Sequence, residues 1–172
     1  MKKWNNLIIF LGGALGVVVS LLTLLRFSRS PDRSRNETPK MQAVRQAIAT
    51  ATAGTPYTNL NETLYAQALH ETGIFTSRIF REKNNLFGMK VPKQRKTYAT
   101  NQGSNDTYSN FDTLKKSVED LLLWFKMHNY IPKEVPSIQA YAEFLKSKGY
   151  YTDTVDNYAS GMRNLLNQYG KI

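Results

Sequence analysis

One carboxylate, Glu71, stands near the end of an apolar stretch with the spacing of a helix. Leu64 and Ala68 share its helical face, and Gly73 follows as a typical C-terminal residue. Burial against apolar neighbours disfavours a charged carboxyl group and raises its pKa toward the value that a general acid needs. Glu71 is therefore a candidate catalytic acid, and the alternative is a solvated residue at a helix end. The neighbouring His70 is interpreted as a helix-end cation in preference to a substrate contact.

A second group of residues could bind a sugar. Aromatic rings stack on sugar faces, and hydroxyl and amide groups bond to sugar polar atoms. Each also has a structural alternative, because Asn-Asn and Phe-Gly pairs make turns and tyrosines at helical spacing are usually core. The candidate substrate-binding residues are Asn84, Asn85, Phe87, Tyr108, Tyr150, Tyr151 and Tyr158.

The composition narrows the function classes. The chain has no Cys and only two His, so thiolate sites are excluded, and neither a metal site nor a cofactor is expected. The formal net charge of +10 would suit nucleic acid, but it is divided equally between residues 1–40 and 41–172 and no nucleic-acid motif occurs. A moderately basic domain is also attracted to other polyanions, including a bacterial cell wall.

The N-terminal part is predicted to be a membrane anchor, residues 1–27. Residues 7–25 carry no charge and are long enough to cross a bilayer as a helix. A cleaved signal peptide is the alternative, but the apolar run is longer than a typical signal core and Arg26 follows directly. Gly12 and Gly16 form one Gly-x-x-x-Gly pair, which could allow self-association of the helix.

Orientation in the membrane is a second question at this end of the chain. More positive residues follow the span than precede it, which favours a cytoplasmic domain. An enzyme that cleaves the cell wall should instead have its domain on the outer side of the membrane, unless the protein is carried in a virus membrane and delivered from there. Residues 28–40 are polar, with two prolines and no apolar side chain, and are predicted to be a linker.

The remaining residues, 41–172, are predicted to form one mainly α domain. Apolar periodicity predicts helices over 41–53, up to Gly73 with Asn59 or Asn61 as cap, and in three later segments capped by Asp112, Ser137 and Asp153. Residues 91–111 alternate Thr, Tyr and Val with polar residues around a Gly-containing turn, which predicts a short β-hairpin.

Four segments in register resemble bacterial and phage endo-β-N-acetylglucosaminidases, glycoside hydrolase family 73, particularly the short type of Bacteroidetes and their phages. The segments are 67–73 (QALHETG), 84–90 (NNLFGMK), 108–120 (YSNFDTLKKSVED) and 151–159 (YTDTVDNYA). The resemblance covers about residues 41–170. It implies a lysozyme-like α+β fold with a small β lobe, and cleavage of the β-1,4 bond between N-acetylglucosamine and N-acetylmuramic acid in peptidoglycan.

The resemblance also implies roles for single residues. It makes Glu71 the general acid, residues 84–90 the wall-binding turn, and Tyr150 or Tyr151 together with Tyr158 the active-site tyrosines. Many members of the family carry a second carboxylate in the β lobe. Between Lys90 and Tyr108 this chain has a single acid, Asp106, so that role belongs to Asp106 or is vacant.

Three outcomes follow if the role is vacant. The substrate's acetamido group could act as nucleophile, the product could be an anhydro sugar as in lytic transglycosylases, or the protein could be a wall-binding structural protein without activity. A membrane-anchored peptidoglycan hydrolase acting through Glu71 is the preferred hypothesis.

Overall fold

The computed structural model describes residues 38–170, so the predicted membrane segment 7–25 and most of the linker lie outside the described residues. Within this range the chain is mainly helical, with six α-helices and one 3₁₀ turn. They are α1 (Pro39–Thr52), the 3₁₀ turn (Thr58–Leu60), α2 (Asn61–Thr72), α3 (Arg78–Lys83), α4 (Leu114–Met127), α5 (Ile138–Ser147) and α6 (Val155–Tyr169). No helix among residues 38–170 is long and apolar enough to cross a membrane.

The helices bury one core. Helix α1 packs on α2 and α4, and α6 packs on α2 and α5, so α2 is held between the first and the last helix. The predicted helix 41–53 is confirmed as α1, and its apolar positions at helical spacing are buried. Thr38 caps α1 by accepting a bond from the Met41 amide, with Pro39 as the first helical residue.

The helix that carries Glu71 begins differently from the prediction and ends as predicted. Neither Asn59 nor Asn61 caps it, because the 3₁₀ turn leads directly into α2 and Leu60 stands at the cap position without a side-chain bond. The Asn61 side chain instead accepts a hydrogen bond from the Thr52 hydroxyl at 2.7 Å. Gly73 ends the helix in the left-handed conformation with φ +56°.

Two further residues after Gly73 are also left-handed. Ile74 has φ +56° and Phe75 has φ +61°, which is an unfavourable region for side chains with a Cβ. Thr72 supports this reversal, since its hydroxyl accepts a bond from the Phe75 amide at 3.0 Å. The chain then enters α3, a short helix that the sequence analysis missed although Ser77 is a standard cap for it.

The predicted hairpin within residues 91–111 is wrong. The segment forms one isolated antiparallel bridge, between Lys90 and Tyr108, in place of two paired strands. Side chains bond to backbone groups that a ladder would use: Asn101 accepts from the Asn110 amide and donates to the Tyr108 carbonyl. The β lobe is therefore reduced to an irregular segment with one bridge.

The caps of the last three helices were predicted within one residue. Ser137 caps α5 as predicted. Thr113 caps α4 and Thr154 caps α6, where Asp112 and Asp153 had been predicted. The cap is the last extended residue before the helix, and these two threonines occupy it with their hydroxyls on the third following amide.

Candidate active site

Glu71 is half-buried in the last turn of α2. Burial raises the pKa of its carboxyl group, and a hydrogen bond from Tyr158 opposes this by stabilising the charged form. The net direction is upward, so Glu71 retains its proton at higher pH than an exposed glutamate. This matches the prediction made from its apolar neighbours.

Tyr158 reaches Glu71 from α6. Its hydroxyl donates a hydrogen bond to Glu71 Oε1 at 2.6 Å, and its side chain is almost completely buried. The contact exists because α2 and α6 pack against each other. Burial raises the pKa of Tyr158 well above its ordinary value, and the nearby Glu71 adds to the shift, so the hydroxyl remains a donor.

Gly88 approaches the other oxygen of the same carboxylate. A Cβ at this position would lie 3.4 Å from Glu71 Oε2, and the residue has φ +61°. The left-handed conformation favours glycine here, and a methyl group at this position would be in van der Waals contact with the carboxylate. The two oxygens of Glu71 therefore have different surroundings, a hydroxyl donor at Oε1 and the backbone of residue 88 near Oε2.

Asn85 holds the turn that contains Gly88. Its side-chain oxygen accepts from the Phe87 and Met89 amides, and its nitrogen donates to the Met89 and Ser109 carbonyls, at 2.8 to 3.3 Å. The side chain is fully buried. These bonds use its polar atoms within the protein, so Asn85 positions the turn. The sequence analysis had predicted instead that its amide binds a sugar.

Glu71 opens into a cleft of about 450 Å³. One wall comes from the segment after Phe87, and other lining residues come from α4 and from the turn before Thr152. Among the residues that line it, Glu71 is the one carboxylate. The lining residues are Glu71, Phe87, Gly88, Met89, Lys90, Val91, Pro92, Lys93, Gln94, Arg95, Trp124, Met127, Lys148, Gly149, Tyr150 and Tyr151.

The structure brings two of the predicted tyrosines to this cleft. The hydroxyl of Tyr150 donates to the Phe87 carbonyl, which ties the two sides of the lining together. Tyr151 stacks on Tyr158 with ring centres 3.9 Å apart and planes within 5°, so it connects the cleft to the partner of Glu71. Trp124 also lines the cleft and packs edge-on against Tyr150 at 5.2 Å, but the sequence analysis did not predict it as a site residue. Its position beside the apolar stripe of α4 could have indicated that it lies at the edge of the core.

Three other predicted residues are not brought to the cleft. Asp106 is exposed and accepts hydrogen bonds from Asn101 and Lys83, which lower the pKa of its carboxyl group. Asn84 ends α3 with φ +49°, and its side chain donates to the Phe111 carbonyl at 2.9 Å. Tyr108 is 36% exposed at the isolated bridge. None of the three lines the cleft around Glu71.

His70 lies behind the site. Its ring packs edge-on against Tyr158 at 4.8 Å and so close to Gly161 that a Cβ there would lie 2.6 Å from His70 Cε1. Burial lowers the pKa of His70, and Asp153 opposes the shift. His70 does lie in the last turn of α2, as its interpretation as a helix-end residue requires, and its lowered pKa favours the neutral imidazole.

The described residues offer little to a metal ion. No cluster of three His, Asp or Glu side chains with ligand geometry occurs among residues 38–170. The chemistry that the cleft can perform is proton transfer from a carboxylic acid to a bound molecule. Aromatic rings beside such an acid are typical of sites that cleave sugar polymers.

A half-buried carboxylic acid beside aromatic side chains in a cleft is compatible with the acid chemistry that glycoside hydrolases use. The chain matches the sequence model of the glucosaminidase family, described as mannosyl-glycoprotein endo-beta-N-acetylglucosaminidase, over residues 48–171, and it belongs to this family. The resemblance noted in the sequence is confirmed. The protein is a glycoside hydrolase of the endo-β-N-acetylglucosaminidase type.

One solved structure with a similar fold is described as a type VI secretion system effector-immunity complex from Pseudomonas protegens. The chains are 23% identical, with a TM-score of 0.54, and the match covers 77% of this chain and 90% of the other. At this identity the likeness concerns the fold. No curated protein matches the chain.

Proposed function

We propose that this protein hydrolyses peptidoglycan at the β-1,4 bond between N-acetylglucosamine and N-acetylmuramic acid, with Glu71 as general acid. The observation that carries the proposal is the half-buried carboxyl group of Glu71, whose pKa is raised by burial, at the wall of an aromatic cleft. Family membership supports the reaction type. We also propose that the helical fold is lysozyme-like, with residues 84–111 in place of the β lobe.

The hydrogen bond from Tyr158 to Oε1 supports Oε2 as the oxygen of Glu71 that transfers the proton. The Tyr158 hydroxyl occupies a lone pair of Oε1, so the transferable proton resides on Oε2. The proton moves from Oε2 to the glycosidic oxygen as the bond from that oxygen to the sugar C1 breaks, which leaves positive charge on the ring. Glu71 is then ionised, and the Tyr158 bond stabilises this charged form.

We propose that the substrate itself supplies the second catalytic group. Most glycoside hydrolases use two carboxylates, but Glu71 is the one carboxylate lining the cleft. The acetamido oxygen of the substrate bonds to C1 as the leaving group departs and forms a cyclic cationic intermediate. A water then attacks C1 and gives a proton to the ionised Glu71 as the bond from C1 to the acetamido oxygen breaks, which restores the neutral acetamido group. A lytic transglycosylase is the second candidate, favoured by the same single carboxylate: a sugar hydroxyl attacks C1, returns its proton to Glu71 and yields an anhydro product.

The test is mass spectrometry of peptidoglycan digested by the full-length protein in mild detergent. Hydrolysis yields fragments with a reducing-end N-acetylglucosamine, whereas a transglycosylase yields anhydro ends one water lighter. Glu71→Gln should reduce release by a factor on the order of 10²–10⁴, since it removes the acid. Glu143→Gln is the control, because Glu143 is exposed on α5 and does not line the cleft.

Two results would contradict the assignment. Unchanged release by Glu71→Gln would exclude Glu71 as the acid. Binding of cell walls without any product would favour a wall-binding structural protein, the inactive alternative.

We propose further that residues 1–27 anchor the protein as a single-pass membrane protein through the span 7–25, that 28–40 are the linker and that 41–172 are the catalytic domain. The uncharged run of residues 7–25 supports the anchor. The domain faces the cell wall from the inner membrane or is carried in a virus membrane. Protease digestion of intact vesicles or virions tests this: cleavage of the domain from outside supports one of these locations, and protection until lysis contradicts both.

A further inference from the structure

The charged residues that line the cleft beside Glu71 are mainly positive. Lys90, Lys93, Arg95 and Lys148 line it, against the single carboxylate of Glu71. Because burial raises the pKa of Glu71, part of that negative charge is removed when the acid is protonated. A neutral sugar chain would need no such excess of cations.

Arg95 is compensated, whereas the lysines are not. Arg95 makes a two-bonded ion pair with the buried Asp120, at 2.6 and 3.0 Å. Within residues 38–170 none of Lys90, Lys93 and Lys148 pairs with a carboxylate, and all three are exposed. Their charges are therefore available to a ligand.

The backbone that carries these lysines is fixed at several points. Lys90 is in the bridge with Tyr108, and the adjacent Val91 amide donates to the Thr107 carbonyl at 3.2 Å. Two residues beyond Lys93, Arg95 is held by Asp120. The Lys148 amide donates to carbonyls at the end of α5. Cations on a pre-organised backbone lose less conformational entropy when they bind a ligand.

We propose that Lys90, Lys93 and Lys148 form a cationic rim that selects glycan strands bearing carboxylates over neutral glycans. The proposal rests on the proposed function and deepens it, because it names the charge of the substrate. Every muramic acid carries a lactyl carboxyl group, which is free in strands without peptides and amide-linked in peptide-bearing strands, where the peptide carboxylates replace it. Both sources offer the same ligand chemistry to an ammonium group.

The experiment compares three substrates: peptide-bearing peptidoglycan, strands from which an amidase has removed the peptides, and neutral chitooligosaccharides. Each Lys→Gln substitution should raise KM for the anionic substrates by about three- to five-fold, as for an exposed charge pair, and the triple variant by about 30- to 120-fold if the effects are independent. The KM for chitooligosaccharides should not change. Lys133→Gln is the matched control, since Lys133 is an exposed lysine that does not line the cleft.

Salt gives an independent readout. Raising the ionic strength should weaken binding of the anionic substrates and should reduce the effect of the lysine substitutions. The substrate comparison also identifies the source: dependence on the lysines with peptide-bearing strands alone indicates the peptide carboxylates, and dependence with stripped strands indicates the lactyl group. Equal lysine effects on neutral and anionic glycans, or none on any of them, would overturn the proposal.

Binding separates this proposal from the proposed function. The affinity of the full-length Glu71→Gln variant for stripped and for peptide-bearing strands should fall when the three lysines are replaced, whether or not the native protein hydrolyses them. Lysine-dependent binding with no hydrolysis would refute the reaction and support the rim. Hydrolysis through Glu71 with lysine-independent binding would refute the rim and support the reaction.

Discussion

The Tyr158 hydroxyl donates a 2.6 Å hydrogen bond to Glu71 Oε1, across the contact between α2 and α6. The two residues are 87 positions apart in the chain. This bond opposes the effect of burial on the pKa of Glu71. The pKa of the candidate acid therefore depends on a helix at the other end of the domain's sequence.

Tyr158→Phe should shift the pH profile of kcat/KM. The bond stabilises the charged carboxylate, so its removal leaves burial unopposed and raises the pKa of Glu71 further. Activity requires the protonated acid and is lost as pH rises through this pKa. The alkaline limb of the profile should therefore move to higher pH, and the rate at low pH should fall less than the rate of Glu71→Gln.

Tyr151→Phe is the matched control for that prediction. The Tyr151 ring stacks on Tyr158, but its hydroxyl donates to the Ala142 carbonyl at 2.9 Å and does not reach Glu71. The alkaline limb should stay in place in this variant. An equal shift in both variants would show that loss of an aromatic hydroxyl near the cleft, and not the bond to Glu71, moves the pKa.

Gly88→Ala should impair catalysis. The new Cβ would lie 3.4 Å from Glu71 Oε2 and would have to adopt φ +61°. Gly103→Ala isolates the second effect, because Gly103 has φ +84° with nothing within 4 Å of its Cβ. Urea unfolding should show a loss of about 1–2 kcal/mol in each variant from the left-handed backbone. Only Gly88→Ala should also reduce kcat, by about an order of magnitude. Similar kcat values in Gly88→Ala and Gly103→Ala would show that the contact between residue 88 and Glu71 does not affect catalysis.

The effect of Gly161→Ala on the unfolding free energy should be destabilising with histidine at position 70 and stabilising with alanine there. In the native protein the new Cβ would lie 2.6 Å from His70 Cε1, and the strain should exceed the helix-propensity gain and reduce the unfolding free energy by about 1 kcal/mol. In a His70→Ala background the contact is absent, and the substitution should stabilise by up to about 1 kcal/mol. Chemical denaturation of the four proteins measures this coupling, and additive effects would refute the contact.

The same pair has a spectroscopic readout. Burial lowers the pKa of His70, so displacement of its ring toward water by Gly161→Ala should raise that pKa toward the ordinary value. NMR titration of the imidazole signals in both proteins measures the change. An unchanged titration would mean that helix α6 moves and the ring does not.

Asp120→Asn should be strongly destabilising. The carboxylate of Asp120 is fully buried and accepts bonds from Arg95, from the Thr97 hydroxyl and from the Tyr98 amide. Removing one partner of a buried pair leaves the other charge uncompensated, at a cost of about 3 kcal/mol. Denaturant unfolding measures this loss, and KM should rise because Arg95 lines the cleft.

Glu82→Gln provides the comparison for Asp120. The Arg78–Glu82 bond is as short, at 2.6 Å, but both side chains are mostly exposed. Its loss should change the unfolding free energy by less than about 0.5 kcal/mol. Similar losses in the two variants would show that burial does not determine the contribution of these pairs.

The helices could be predicted because each buries a stripe at a spacing visible in the sequence, as in α1 and α4. Cap positions were missed by one residue, since Asp153 and Thr154 are both good caps and the backbone conformation decides between them. The hairpin within residues 91–111 could not be judged locally. Its backbone is held by Asn101 and by Asp120, which belongs to a distant helix.

Glu71 could be identified as a candidate acid because it shares a helical face with apolar residues. The residues that contact its carboxylate could not be predicted from the sequence. The Tyr158 bond and the approach of Gly88 depend on tertiary packing between segments far apart in sequence. Asn85 looked like a sugar ligand because its amide can bond to either a hydroxyl or a backbone. Burial alone distinguishes these two uses, and single-sequence patterns do not report the burial of an amide in a turn.

The left-handed residues Ile74 and Phe75 come directly after the helix that carries Glu71. A β-branched side chain in that conformation stores about 1–2 kcal/mol. Glycine or asparagine at position 74, three residues after the candidate acid, should therefore stabilise the domain by removing this strain. Unchanged kcat in such a variant would show that the backbone strain at Ile74 is not needed for activity. A reduced kcat would show that the strain contributes to catalysis.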